Sequence, residues 1–196
     1  MNKKIEIEIP EGKVAEWKEI NGVTTLVLTD EADNRPVTER IKTFEDACRE
    51  LDKRAESNEN IAYLLADYDS NKSNINTKST LAYMKLCIIA AALNEGWEPK
   101  FTNDEYRYYP RLYFYTQEEI DKMDEENKEM LWLLGGRTSN GACCGLAYAH
   151  TDYAWLNSGS IVSARLVVKS ESLAKYFGRQ FIDIWADYLA LPHKEE

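Results

Sequence analysis

The chain of 196 residues and 22.6 kDa is long enough for one domain with a substantial core and short for two. Hydrophobic residues make up 44% of it, which excludes a chain that is disordered by composition. Acidic side chains outnumber basic ones 34 to 24, and the pI of about 4.9 argues against nonspecific binding to nucleic acid or to anionic membranes.

No targeting or membrane-spanning segment is predicted. The basic residues 1–4 are followed by Ile5–Ile9, where charged and apolar residues alternate, so this stretch cannot be the apolar core of a signal peptide. The most apolar run, Leu81–Leu93, contains Lys85 and is shorter than the ~20 residues that a bilayer requires. The sequence therefore predicts a cytoplasmic protein that is not exported by a signal peptide.

The N-terminal residues predict β-structure. In Ile5–Ile9 the isoleucines alternate with glutamates, which is typical of a half-buried strand, and Pro10 would end it. Asn21-Gly22 separates Val14–Ile20 from Val23–Thr29 and tolerates positive φ at both turn positions, so a tight hairpin is expected. The polar residues 31–36 are predicted to form a loop.

Helices are predicted for the middle of the chain. Thr43 begins a capping box and a helix to about Glu56, and a short helix is expected over Asn60–Tyr68. The polar stretch Asp69–Ser79 is predicted to be a flexible loop. The strongest helix, about Thr77–Glu95, is apolar on nearly all sides, so it is predicted to be central and buried and to end at Gly96.

A strand and a helix are predicted next. The aromatic run Tyr106–Tyr115 predicts a strand that Pro110 interrupts. A second capping box at Thr116 predicts an acidic helix that continues to about Lys128. The apolar residues Met130–Leu134 predict a short strand that ends at the following pair of glycines.

The last third is predicted to contain loops, a strand and a helix. Arg137–Ser160 is rich in Gly, Ala, Ser, Asn, Thr and Tyr and has no helical or strand period over most of its length. Ser163–Lys169 predicts a strand. Ser170 is expected to cap a final helix to about Leu189, whose apolar side chains recur at helical spacing and form one packed face.

Catalytic and metal sites have weak support. Cys143, Cys144, His150 and Asp152 lie within ten residues, and imidazole can activate a thiol, but adjacent side chains of an extended chain point apart. The adjacent cysteines also lack the spacer that lets two thiolates bind one zinc ion. A phosphate-binding loop needs a lysine followed by a serine or threonine after its glycines, and neither glycine pair of this sequence is followed by them. We expect no metal and no cofactor.

A recognition surface is the alternative to chemistry for the Arg137–Ser160 loops. Tyr148, Tyr153 and Trp155 lie among small polar residues, and rigid rings supply contact area at low entropic cost while small polar residues adapt to a ligand. The same rings could instead pack into the core beneath a glycine-rich loop. The sequence leaves both interpretations open.

Four stretches of the sequence carry a resemblance to a known protein family. They are RIKTFEDACREL, LNEGWEP, YYP with the aromatic strand, and SARLVVKSESLAKYFGRQFIDIWADYL. Over about residues 37–190 the chain resembles a family of uncharacterised proteins encoded by phages and prophages of gut Bacteroides-type bacteria. The resemblance implies a phage or prophage origin. It therefore implies a location in the host cytoplasm or in the virion.

The end of the chain resembles a second group. The order of its segments is Gly135-Gly136, a loop of small, polar and Tyr residues, and then Ser163 to Leu166. This order is similar to the segments that flank a loop in the C-type-lectin-like fold. That fold occurs in formylglycine-generating enzymes and in retroelement-diversified phage tropism proteins. In the tropism proteins the loop between these marks contacts the ligand, and Thr138–Ser160 corresponds to it by position. The enzymes' separated cysteine pair is not reproduced, so their oxidative chemistry is not expected here.

These observations predict an α+β protein with a single domain, 1–196. It would contain N-terminal strands with a hairpin (1–36), a helical body with a buried central helix (37–130), and a loop-rich antiparallel sheet, C-type-lectin-like or related, with a C-terminal helix (131–190). The predicted function is non-enzymatic binding or a structural role. The expected ligand-binding residues are Asn140, Tyr148, His150, Asp152, Tyr153, Trp155 and Asn157.

The expected partner is a protein or carbohydrate ligand, and a further copy of the chain is possible; nucleic acid and membrane are not expected. Two alternatives stay open. One is an enzyme that acts through Cys143 or Cys144 with His150. The other is a structural phage component in which the Arg137–Ser160 loops form an oligomer interface.

Overall fold

The computed structural model of the protein describes residues 6–30, 33–75, 77–100, 105–133, 145–154 and 164–190. Within these ranges the fold is α+β, as the sequence predicts, with helices and two antiparallel sheets. Contacts between residues divide the chain into two compact units, Met1–Pro36 and Val37–Glu196. That the whole chain is a single domain stays a prediction.

The first unit contains a β-hairpin. Its strands, β1 (Lys13–Ile20) and β2 (Val23–Asp30), are antiparallel and pair along their whole length. Asn21 and Gly22 connect them with φ values of 52° and 78°. Positive φ at both positions matches the right-handed twist of the strands, and Asn-Gly is the dipeptide that adopts it most easily. The predicted hairpin is confirmed.

The predicted strand at Ile5–Ile9 is wrong over the residues that are described. Residues 6–10 form no strand, and the side chains of Ile7 and Ile9 are about half exposed. Alternation of apolar and charged residues specifies a strand only where a neighbouring strand supplies hydrogen bonds and a core receives the apolar face. Neither is present for this segment among the described residues.

The second unit contains the helices and a three-stranded sheet. Its described elements are α1 (Val37–Arg40), α2 (Phe44–Ala55), α3 (Glu59–Asn71), α4 (Lys78–Leu93), β3 (Arg107–Tyr115), α5 (Gln117–Asp121), α6 (Glu125–Glu129), β4 (Trp132–Leu133), β5 (Gly145–Ala154), a 3₁₀ turn (Ala164–Leu166), α7 (Glu171–Gln180) and α8 (Ile182–Leu189). No helix in these ranges combines the length and apolarity needed to cross a bilayer.

Both predicted capping boxes are confirmed. The Thr43 side chain accepts a hydrogen bond from the Asp46 backbone N–H, and the Asp46 carboxylate accepts one from the Thr43 N–H. Thr116 and Glu119 make the same reciprocal pair at the start of α5. Each box satisfies backbone donors that a helix N-terminus otherwise leaves unpaired.

Three predicted helix boundaries are corrected. The acidic helix is divided into α5 and α6 because Asp124 adopts an extended conformation and caps α6 by accepting from the Asn127 N–H. The loop predicted for Asp69–Ser79 is shorter, since α3 continues to Asn71 and α4 begins at Lys78. The final helix breaks at Phe181, whose ψ of 32° is not helical, into α7 and α8.

The central helix α4 is buried, as predicted. Most of its residues after Tyr83 are shielded from solvent, and it packs between α2, α3 and α8. Asn94 caps its end, and the chain leaves the helix through Glu95 and Gly96, which have φ values of 51° and 88°. Gly96 therefore occupies the left-handed region that the sequence predicts for it.

Helix α7 joins the helical core to the sheet. It packs on β3 and β5, while α8 packs on α4. The fully buried ring of Phe177 lies 5.1 Å from the ring of Trp185 and 6.2 Å from that of Phe181, in edge-to-face contacts. Aromatic pairs at these distances add about 1 kcal/mol each beyond their burial. This ring cluster therefore fixes the angle between α7 and α8.

The sheet has the order β3-β5-β4 in the described part of the chain. Strand β3 continues through Pro110, so the predicted interruption is wrong. The Tyr108 N–H points away from β5, toward the carbonyl of Val168 at 3.1 Å, and N–H groups two residues apart in a strand point the same way. The missing N–H of Pro110 therefore falls on the edge where no ladder needs it.

The strand predicted for Ser163–Lys169 is also wrong. Residues 164–166 form a 3₁₀ turn, and Val168 makes a single bridge to Tyr108. The buried Asn94 side chain binds this segment instead: its Nδ2 donates to the Val167 carbonyl at 2.9 Å, and its Oδ1 accepts from the Lys169 N–H at 3.0 Å. A side chain at a helix end thus takes the hydrogen bonds that a neighbouring strand would have made.

An ion-pair network ties α1 to α2 and to the end of α4. Arg40 binds Glu50 of α2 and Glu95 at the end of α4, with N–O distances of 2.6 Å in both pairs, and Lys169 binds Glu95 at 2.7 Å. The side chains of Arg40 and Glu50 are largely buried, and Arg54 also binds Glu50 at 2.8 Å. Burial raises the pKa of Glu50, but the hydrogen bonds from both arginines outweigh it, so the pKa lies below the ordinary value of 4.5.

A pH prediction follows from Glu50. Because its pKa is lower in the folded chain, its contribution to stability is complete above about pH 4.5 and is lost as the pH falls below that value. In denaturant titrations from pH 6 to pH 3, the free energy of unfolding of the wild type should fall by about 1 kcal/mol more than that of Glu50→Gln. Glu118→Gln, at an exposed glutamate, should follow the wild type, and parallel curves for all three proteins would contradict the prediction.

Candidate functional site

The middle of the predicted binding loops is a strand. Strand β5 (Gly145–Ala154) occupies ten residues of Arg137–Ser160 and pairs with β3 on one side and β4 on the other. The prediction that most of this segment lacks regular structure is therefore wrong for these residues. Four of the expected ligand-binding residues lie on β5, namely Tyr148, His150, Asp152 and Tyr153. Outside the described residues lie Asn140, Trp155 and Asn157, and also Cys143 and Cys144.

Small residues make β5 a central strand. Leu146 is fully buried, and the glycine before it allows close packing: a Cβ on Gly145 would lie 3.0 Å from Ile120 and 3.1 Å from Leu131. Ala147 is also buried. The glycine and alanines that suggest a loop in the sequence therefore serve to fit β5 beneath neighbouring side chains.

A β-bulge in β5 divides the predicted site residues between two faces. Leu112 pairs with Tyr148, whereas the preceding Arg111 pairs with His150, so Ala149 is an extra residue on β5. Regular alternation would place the side chains of residues 148, 150 and 152 on one face. The bulge instead puts Tyr148 on the side of α7, and His150 and Asp152 on the opposite side.

The side of the sheet away from α7, which we call the outer face, carries a polar and aromatic cluster. Asp152 accepts a hydrogen bond from Arg111 at 3.1 Å and another from the backbone N–H of Tyr153 at 2.9 Å. The exposed ring of His150 lies 6.1 Å from the ring of Tyr113, edge to face. Tyr109 lies opposite Asp152 in the register of β3 and β5. Two of the predicted residues, His150 and Asp152, therefore lie on this face, each in contact with a side chain of β3.

The ionisation of this cluster favours a carboxylate beside a neutral phenol. The backbone hydrogen bond from Tyr153, together with Arg111, lowers the pKa of Asp152. Burial, followed by the charge of Asp152, raises the pKa of Tyr109. Asp152 is therefore held as a carboxylate paired with Arg111, and Tyr109 as a neutral phenol, so neither of these two groups serves for proton transfer at neutral pH.

On the opposite side, Tyr148 lies against α7. A Cβ on Gly178 would approach the Tyr148 ring to 2.7 Å and Pro110 to 2.5 Å, so only glycine permits this contact. The Arg179 guanidinium lies 5.2 Å from the centroid of the Tyr148 ring, a cation–π geometry. The Tyr148 hydroxyl shares a 2.7 Å hydrogen bond with Thr151. Tyr148 is therefore held rigidly, with its ring between the sheet and the helix.

A cleft of about 280 Å³ opens beside this ring. We call it the Tyr148 cleft, and its lining residues are Glu129, Met130, Leu131, Trp132, Tyr148, Arg179 and Ile182. Trp132 is 42% exposed and Met130 is 46% exposed, so both apolar side chains present surface at the cleft. Neither Arg179 nor Glu129 has an ion-pair partner within the described ranges, so both charges are available at the rim.

The remaining described candidate, Tyr153, does not reach the Tyr148 cleft. Its ring is 58% exposed and packs edge to face on Tyr106, with 5.0 Å between the ring centroids. The prediction therefore selected one residue of the Tyr148 cleft and two of the outer face, while Tyr153 forms a separate exposed aromatic pair with Tyr106.

The sequence did not indicate a larger cleft of about 420 Å³ between α3 and α4. Asn60, Leu64 and Asp67 line it from α3, and Cys87 and Ala91 face them from α4. Cys87 and Ala91 are small and lie four residues apart, so they are on one face of α4. Spacing of small residues on a buried helix could have suggested the cleft, but the sequence does not specify which helix α4 faces there.

The described cysteines do not support thiol chemistry. Burial and nearby acids raise the pKa of Cys48 to about 11, and burial raises the pKa of Cys87. A thiol with a raised pKa is a poor nucleophile at neutral pH. Among the described residues no group of three His, Cys, Asp or Glu side chains could hold a metal ion.

Comparisons with protein-family models, with curated proteins and with solved structures give no match to this chain. The resemblances to a phage protein family and to the C-type-lectin-like fold stay predictions from the sequence.

Proposed function

We propose that this chain is a non-enzymatic binding protein that recognises a carbohydrate through the Tyr148 cleft. The observation that carries the proposal is the immobilised Tyr148 ring beside the exposed Trp132 in a concave site. Concave sites lined by rings with a few polar groups are where proteins most often bind small ligands. The proposal keeps the binding role that the sequence predicts, and it places the binding site on the α7 side of the sheet.

The size and polarity of the cleft favour a sugar over a peptide. A volume of about 280 Å³ accommodates one small ring and is small for a drug-sized ligand. The apolar face of a sugar can lie on an aromatic ring, and its hydroxyl groups can bond to a guanidinium and a carboxylate. Trp132 and Tyr148 supply the rings, and Arg179 and Glu129 supply the charged groups.

Preorganisation supports recognition at this site. Tyr148 is fixed by Gly178, Arg179 and Thr151, so little side-chain entropy is lost when a ligand contacts its ring. The exposed Trp132 would then be covered by the ligand, and tryptophan is among the residues that contribute most to binding when they become fully desolvated. The phage or prophage origin and the location in host cytoplasm or virion are part of the same proposal and depend on sequence resemblance.

The proposal is tested with a printed array of cell-surface mono- and oligosaccharides and the fluorescently labelled full chain. We expect the wild type to bind at least one class of glycan, and Trp132→Ala to weaken binding of the best glycan at least tenfold in a calorimetric titration. The exposed position of Trp132 means that this variant should keep its fold.

Trp17→Ala is the matched control, because Trp17 is exposed on the hairpin and is not among the residues that line the cleft. Its affinity should remain within twofold of the wild type. Absence of glycan binding by the wild type, or equal affinity of Trp132→Ala, would overturn the proposal.

A further inference from the structure

A buried arginine on the outer face is unexplained by the fold. Arg107, the first residue of β3, is 1% exposed and lies on the same face as Tyr109 and Arg111 by strand alternation. Its Nη1 donates to the Glu105 carbonyl at 3.3 Å, but its Nε and Nη2 have no hydrogen-bond partner in the described part of the chain. A buried guanidinium is seldom left with free donors, because the desolvation of the charge must be compensated.

The acids close to Arg107 are already engaged. Glu105 accepts from the Trp97 indole N–H at 2.7 Å with one carboxylate oxygen and from the Lys100 backbone N–H at 3.3 Å with the other. Asp152, the acid on the same face, uses its two oxygens for Tyr153 and Arg111. No described carboxylate therefore neutralises Arg107.

We propose that the Arg107 guanidinium binds an oxyanion, the carboxylate or phosphate group of a ligand, at the start of β3. The two unpartnered donors, Nε and Nη2, lie on one edge of the guanidinium plane, which is the edge that binds carboxylates and phosphates through two parallel hydrogen bonds. This anion site is separate from the Tyr148 cleft, because it lies on the other side of the sheet. It does not depend on the proposed carbohydrate binding.

The test measures the melting temperature of the full chain in chloride, acetate and phosphate at equal ionic strength. We expect a saturable rise with an oxyanion, by about 3–6 °C at a tenfold excess over its dissociation constant. A response to phosphate alone indicates a phosphorylated ligand, and a response to acetate indicates a carboxylate. Absence of a saturable rise with either ion would overturn the proposal.

Arg107→Met should abolish the response, and in chloride it should melt no lower than the wild type, because an uncompensated buried charge is removed. Arg111→Met is the matched control and should keep the response, since Arg111 already pairs with Asp152. If Arg107→Met fails to fold, Arg107→Lys keeps the charge without the planar fork and should weaken the apparent affinity at least tenfold. An unchanged response in either Arg107 variant would overturn the proposal.

Asp104 is the remaining acid within three positions of Arg107 in the sequence and lies outside the described residues. Asp104→Asn distinguishes a ligand from a counter-charge within the chain. We expect it to leave the melting temperature in chloride and the anion response unchanged. A loss of stability in Asp104→Asn that disappears in the Arg107→Met background would show that Asp104 neutralises Arg107, and would overturn the proposal.

Discussion

Replacing Phe177 by alanine is expected to lower the free energy of unfolding by about 3–5 kcal/mol. The ring is fully buried and contacts the rings of Phe181 and Trp185 at the junction of α7 and α8. Its removal leaves a cavity between two helices that the break at Phe181 already holds at an angle. Urea titrations followed by circular dichroism and by tryptophan fluorescence should give the same decrease.

Phe177→Leu restores most of the volume and should cost less than half as much as the alanine variant. Tyr63→Ala removes a ring that is largely exposed on α3 and should change stability by about 0.5 kcal/mol or less. A Phe177→Ala protein as stable as the Tyr63→Ala protein would show that the ring cluster does not support the α7–α8 junction.

Replacing Asn94 by alanine is expected to lower the free energy of unfolding by about 2–4 kcal/mol. The buried amide makes two hydrogen bonds, to the carbonyl of Val167 and from the N–H of Lys169. Without it, both backbone groups lose their partners in a place that water reaches poorly. We expect the 3₁₀ turn and the residues after it to gain hydrogen exchange before the rest of the unit unfolds.

Asn60→Ala serves as the control for Asn94, because Asn60 lines the same cleft between α3 and α4 but is exposed. Its stability should remain within about 0.5 kcal/mol of the wild type. Equal stability of Asn94→Ala and Asn60→Ala, measured in the same urea titration, would contradict the role assigned to the buried amide.

Elements whose signals are local could be predicted from the sequence. The hairpin at Asn21-Gly22 depends on backbone freedom at two adjacent residues, and the capping boxes at Thr43 and Thr116 depend on contacts over three residues. The buried α4 is specified by its apolar composition on all sides. In each case the determining interaction lies within the segment that carries the pattern.

Elements that depend on distant partners could not be predicted. Strand β5 contains glycine and several alanines, and it forms a strand because β3 and β4 flank it and Ile120 and Leu131 leave room only for a small residue. The residues after Ser163 have the composition of a strand, yet Asn94, more than seventy positions earlier, takes their hydrogen bonds. Whether a segment forms a strand depends on the segments that pack beside it, and these cannot be identified from the local sequence.

The candidate site shows the same division. The composition of the loops predicted Tyr148 as a binding residue, and its ring lines a cleft in the structure. The sequence could not show that the bulge at Ala149 separates Tyr148 from His150 and Asp152, or that Arg179 from the last third of the chain lies over the Tyr148 ring. The direction of a side chain in a strand depends on how the strand pairs with its neighbours, and the local sequence does not determine that pairing.

The extra residue at Ala149 has an evolutionary consequence for any chain that shares this strand. Loss of this single codon would place Tyr148 directly before His150 in a regular strand, so the two side chains would still lie on opposite faces and the following residues would keep their partners on β3. Length variation at this point therefore preserves both surfaces of the sheet, whereas the same change elsewhere in β5 would exchange the side chains that the two surfaces carry.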